Sequence, residues 1–163
     1  IRPETASAVL VDIARSLAKQ GVRALGIANA HLEPAHIASI EAAVARIREE
    51  KLLAVAFPDV TKKPWALRLT EEFKSGACHA GRYEGSIVMA ERPDLVKEEV
   101  MKSLPPNPAS LATAIREGKK TFQEAGGKDA YFGWPADATA EEGRESVKIL
   151  GGFLEEAVLE SLR

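Results

Sequence analysis

Three histidines occur in 163 residues, and two of them fall within the ten residues IANAHLEPAH, Ile27 to His36. His31 and Glu33 are two apart in a segment that leaves a strand-like run. In extended chain, residues i and i+2 point the same way, so an imidazole and a carboxylate converge on one spot. Such a pair can supply two ligands to zinc, manganese or iron. The same residues also suit a solvated turn, with Glu33 favouring the start of the next helix and His31 idle. Glu33 and His36 have the i, i+3 spacing of di-iron bundles, but that chemistry needs a second such pair on another helix, and the sequence has none. His36 is therefore read as a surface or packing residue.

The third histidine belongs to a second constellation, CHAGRYEGS, Cys78 to Ser86. Small residues between Gly76 and Gly85 allow the backbone to approach a ligand closely. His79 is then free to act, while Glu84 falls in the first turn of a helix, whose dipole keeps it ionised. A capped helix start with a histidine bonded to backbone accounts for the same pattern. Cys78 is a poor candidate nucleophile, because adjacency to His79 in sequence does not aim the two side chains at each other. Asp59, at the end of a second apolar run, either faces the site or closes a turn.

These residues need elements to hold them. Pro3 to Gln20 places Val9, Leu10, Ile13, Ala14 and Leu17 on one helical face, with Gly21 at the left-handed cap position. ALGIA, Ala24 to Ala28, and LLAVAF, Leu52 to Phe57, have the form of short strands covered on both faces. Between them Pro34 opens a helix to about Lys51, with Ile37, Ile40, Val44 and Ile47 recurring at helical spacing. A third helix is expected over Pro64–Ser75, a fourth over Tyr83–Arg92, a short one from Pro93, another from Ser110 to about Gly118, and a short strand at Tyr131–Phe132. Thr139 and Glu142 form a capping box for a last amphipathic helix. The alternation predicts an α/β fold with three layers, a mostly parallel central sheet flanked by helices, in one domain over residues 1–163. Ligands of such sheets gather beyond the carboxyl ends of the strands, where the first decapeptide sits.

Composition removes several function classes. Hydrophobic residues make up 45% and charged residues 28%, the range of an ordinary globular domain. Net charge is −2, with bases and acids interleaved, which argues against nucleic acid as a partner. No apolar run reaches the length of a membrane span. The single cysteine excludes an intrachain disulfide and favours a reducing, cytoplasmic setting. No glycine-rich phosphate loop follows either early strand, against a flavodoxin-like nucleotide binder.

ANAHLEP after a short buried strand, followed by CHAGRYEGSIVMAERPDLV, resembles the creatininase (creatinine amidohydrolase) family, and the similarity extends through LPPNP and AYFG. The resemblance implies a three-layer α/β fold and metal-dependent hydrolysis of carbon–nitrogen bonds in cyclic amides or formamides by an oligomer, with a metal-activated water attacking the carbonyl. It implies that His31 and Glu33 each supply a ligand to one of two divalent ions (zinc, manganese or iron), that His79 handles substrate and protons, and that Glu84 orients His79, contacts substrate or reaches a metal. Its partners would be a small amide substrate and further copies of the chain. The family's Asn-Gly-His is Asn29-Ala30-His31 here, its Glu-Thr-Ser is Glu84-Gly85-Ser86, and Leu32 replaces an aromatic residue of the creatinine-hydrolysing members. Nothing in the chain matches the family's amino-terminal third, which carries further ligands. An additional amino-terminal segment or chain, with the first strands of the sheet, is therefore expected. The rival expectation is a non-catalytic family member serving as a binding or scaffolding subunit.

Overall fold

The computed structural model describes every residue from Ile1 to Arg163 except Cys78, so the reading of that cysteine lies outside the described residues. The chain forms two compact units, Ile1–Trp65 with Gly151–Arg163, and Ala66–Leu150. The architecture is mixed α/β and helix-rich, with a small parallel sheet.

In the first unit, α1 (Pro3–Lys19) starts with proline in its first turn and stops at Gly21, whose φ is +80°. The Gly21 and Val22 amides donate back to Ala18 O at 3.0 Å and Leu17 O at 3.1 Å, a Schellman closure. The chain then enters β1 (Ala24–Gly26). α2 (Pro34–Glu49) repeats the device with a different residue. Lys51 takes the left-handed conformation at φ +51°, and the Lys51 and Leu52 amides donate to Arg48 O at 3.1 Å and Ile47 O at 3.2 Å before β2 (Ala54–Ala56) begins. β1 and β2 pair in parallel with Ala24 opposite Ala54, Leu25 opposite Val55 and Gly26 opposite Ala56. Both strands are shorter than the apolar runs that announce them. The residues flanking β2 pack as irregular chain: Leu52, Leu53 and Phe57, with Leu25 of β1, lie against a core of Val11, Ala14, Ile40, Val44, Ile47 and Val55. Gly26 lets the last helix, α7 (Ala140–Ser161), come close, since a β-carbon there would meet Val158 at 2.8 Å and Leu154 at 2.9 Å.

The second unit departs further from the periodicity. The helix expected over Pro64–Ser75 is broken into a 3₁₀ turn, Trp65–Arg68, and α3 (Glu71–Ser75). Thr70 is the reason: it is extended, at ψ 162°, and its hydroxyl caps the new helix by accepting from Phe73 N at 3.4 Å. There follow α4 (Arg82–Glu91), a 3₁₀ turn at Pro93–Leu95, α5 (Glu98–Ser103) and α6 (Leu111–Arg116). The strand expected at Tyr131–Phe132 is replaced by one antiparallel bridge between Asn107 and Gly133. Its would-be ladder groups are taken singly: Phe132 N donates to His79 O at 2.8 Å, and Asn107 Nδ2 donates to Tyr131 O at 3.0 Å. Phe132 is fully buried against Ala77, Ala114 and Ala125. Thr139 caps α7 as expected, accepting from Glu142 N at 3.2 Å, but the Glu142 side chain pairs with Arg82 instead of returning to the cap. Among the described residues no helix is long and apolar enough to cross a membrane.

Candidate active-site turns

The turn from Asn29 to His36 follows β1 and opens α2, and it is knitted by its own side chains. Asn29 Nδ2 donates to His31 O at 2.8 Å, while Asn29 Oδ1 accepts from His31 N at 3.2 Å. His36 Nε2 lies 3.0 Å from the same Oδ1. Since that oxygen can only accept, Nε2 is the donor. The His31 and His36 rings meet edge to face with centroids 5.1 Å apart. His36 is thus packed against the candidate ligand, and its packing role is a specific one.

Glu33 is the N-cap of α2. Its Oε1 accepts from Ala35 N at 3.0 Å and its Oε2 from His36 N at 2.7 Å. These two backbone bonds, with the nearby imidazoles adding to them, hold the carboxyl below its ordinary pKa. The two readings of Glu33 therefore coexist: it caps the helix, and each oxygen keeps a second lone pair for another donor or a cation. His31 is exposed. An ionised carboxylate and a solvent-facing imidazole are donors that suit zinc, manganese or iron. Among the described residues no three of His, Cys, Asp and Glu are grouped to hold a metal ion.

The His79 turn lies in the second unit. Ala80 is left-handed, at φ +50°, and Gly81 is the N-cap of α4. Glu84 Oε2 accepts from Ala80 N at 2.7 Å and lies 3.8 Å from His79 Nδ1, so carboxylate and ring are neighbours without a direct hydrogen bond. The His79 ring also packs on Phe122, centroids 4.7 Å apart, and both His79 and Glu84 are partly open to solvent. Asp59 closes a local turn, accepting from Thr61 N at 3.0 Å and Thr61 Oγ1 at 2.6 Å.

One carboxylate escaped the sequence reading. Glu72 is 5% exposed and accepts from Arg82 N at 2.9 Å, Tyr83 N at 2.8 Å and Trp134 N at 2.7 Å. The available signal was its phase: Leu69, Glu72 and Phe73 fall at i, i+3 and i+4, which sets a carboxylate on the buried stripe.

A family model described as creatininase, creatinine amidohydrolase, matches residues 1–158. No curated protein matches the sequence. Among solved structures, a tryptophan-to-alanine mutant of creatininase superposes with a TM-score of 0.59 at 19% sequence identity, covering 99% of this chain and 65% of the other. The chain thus spans about two thirds of the length of that creatininase, and at this identity the likeness is one of fold. With the family match running through both histidine turns and almost the whole sequence, the chain belongs to the creatininase family.

Proposed function

We propose that this chain forms part of a metal-dependent amidohydrolase that opens a carbon–nitrogen bond in a cyclic amide or formamide. The observation that carries the reading is the family match over residues 1–158, together with a Glu33 carboxylate fixed and ionised beside His31. His31 and Glu33 would hold one or two divalent ions, zinc, manganese or iron, with the remaining ligands supplied by another stretch of polypeptide. When bound, such an ion supplies a Lewis acid and a water acidic enough to ionise near neutral pH. The chain's own residues do the rest. The Ala35 and His36 amides keep Glu33 charged and aimed, and Asn29 fixes the backbone of His31. His79 moves a proton or steadies the developing oxyanion, with Glu84 as the adjacent carboxylate that orients it. We place the enzyme in the cytoplasm as a homo-oligomer, which the lone cysteine and the family's habit support.

The rival is a non-catalytic binding or scaffolding member of the family. It is favoured by the employment of both Glu33 oxygens in capping α2 and by the absence of a third ligand among the described residues. Metal analysis of the purified assembly after dialysis, with any co-purifying polypeptide identified by mass spectrometry, decides between them when paired with hydrolysis assays on cyclic amides and formamides. Bound metal and turnover are expected; an intact assembly free of metal would defeat the enzyme.

A further inference from the structure

We propose that Glu72 is the positioning residue of the His79 turn. Burying an ionised carboxylate is unfavourable unless hydrogen bonds replace its water. Here the replacements are three backbone N–H groups. Two of them, Arg82 N and Tyr83 N, open α4, so the carboxylate sits at the positive end of a ten-residue helix. The third, Trp134 N, comes from the segment after Tyr131. A carboxylate that only capped α4 would need the first two. The third joins the His79 turn to a distant stretch of chain.

The surrounding glycines fit that joint. A β-carbon at Gly133 would come within 2.2 Å of Glu72 Oε2, and one at Gly81 would lie 2.7 Å from Oε1 and 2.2 Å from Phe132 O. Gly133 is also left-handed, at φ +88°. Both segments therefore approach the carboxylate with bare backbone. His79 is referred to the same joint from two sides: its carbonyl accepts from Phe132 N at 2.8 Å, and its ring rests on Phe122, which packs on Phe132 with centroids 5.8 Å apart. Glu84 contributes locally, through Ala80 N, whereas Glu72 sets the register between the turn and the segment that carries Phe132. The inference rests on reading His79 as the proton-handling group of the proposed hydrolase.

The test is Glu72→Gln in the full chain with its assembly partners. The side chain keeps its shape, but an NH₂ group now faces backbone donors. His79 ring signals in the NMR spectrum, which carry the ring-current shift of Phe122, are expected to move toward those of free histidine, while the His31 and His36 signals stay in place. Bound metal is expected to be unchanged, with kcat down about 10²-fold and KM within about threefold, the signature of a misplaced catalytic group. Glu72→Asp, which retains the charge, recovers part of the loss. A folded Glu72→Gln protein with unmoved His79 signals overturns the proposal. Displaced signals in a protein whose wild type hydrolyses no cyclic amide or formamide uphold the positioning and remove only the hydrolase reading. If Glu72→Gln does not fold, hydrogen exchange of the wild type serves instead: the amides of Arg82, Tyr83 and Trp134 are expected to open together, with rates corrected for sequence within about tenfold. Trp134 exchanging independently of the other two overturns the proposal.

Discussion

His36 Nε2 lies 3.0 Å from Asn29 Oδ1, the same oxygen that accepts the His31 amide at 3.2 Å. One amide side chain therefore sets both the backbone of the candidate ligand and the ring packed against it. Residues that orient a metal ligand from behind contribute measurably to metal affinity. On the proposed role of His31, Asn29→Ala is expected to weaken zinc binding about 10- to 100-fold in chelator competition, the usual range for such partners. His31→Ala should abolish that binding with the melting temperature nearly unchanged, because His31 is exposed.

Glu33 carries two roles that substitution can separate. Serine also caps a helix through its hydroxyl but offers no carboxylate, so Glu33→Ser should lose metal and keep stability, whereas Glu33→Ala should lose metal and about 0.5–2 kcal/mol. Urea titrations of both variants beside metal analysis check this.

The Glu33 carboxyl is held below its ordinary value by the Ala35 and His36 amides. A group depressed in the folded state binds its proton more readily when unfolded. Its contribution to stability is thus complete above the unfolded value of about 4.3 and fades as pH falls through the lower folded value. Stability of the wild type measured from pH 6 downward should drop more steeply than that of Glu33→Ser. Parallel curves would remove the cap from the account.

His79→Ala should keep its metal and lose about 10²- to 10⁴-fold in turnover, the worth of a proton-transfer or oxyanion group. Wild-type rates in this variant would make the turn structural only.

Phe132 is fully buried beside three alanines that cannot expand to fill its place. Phe132→Ala is expected to cost about 3–5 kcal/mol by denaturant unfolding, the range for an aromatic removed from a core. Lys51→Gly should act in the other direction, by up to about 1 kcal/mol, since glycine adopts φ +51° without a side-chain penalty.

Much of the first unit and of the two turns was legible in the residues themselves. Pro3, Gly21, Pro34 and the i, i+3, i+4 recurrence of apolar residues mark α1 and α2, and Thr139 marks the start of α7. These signals act within one or two helical turns, so a few adjacent residues carry them. The cap that Glu33 makes on α2 and the nearness of Glu84 to His79 were legible for the same reason. What the amino-acid order left open is decided by bonds between distant residues. Thr70 capping α3 breaks a continuous apolar stripe, and Phe132 N goes to His79 O, which removes a strand that its β-forming residues favour. Glu72 is the clearest case. Its three donors lie 10, 11 and 62 residues away, and nothing in its neighbours announces them. Its phase beside Leu69 and Phe73 marks a buried position, but which amides meet the carboxylate there is decided only by the packing of the chain.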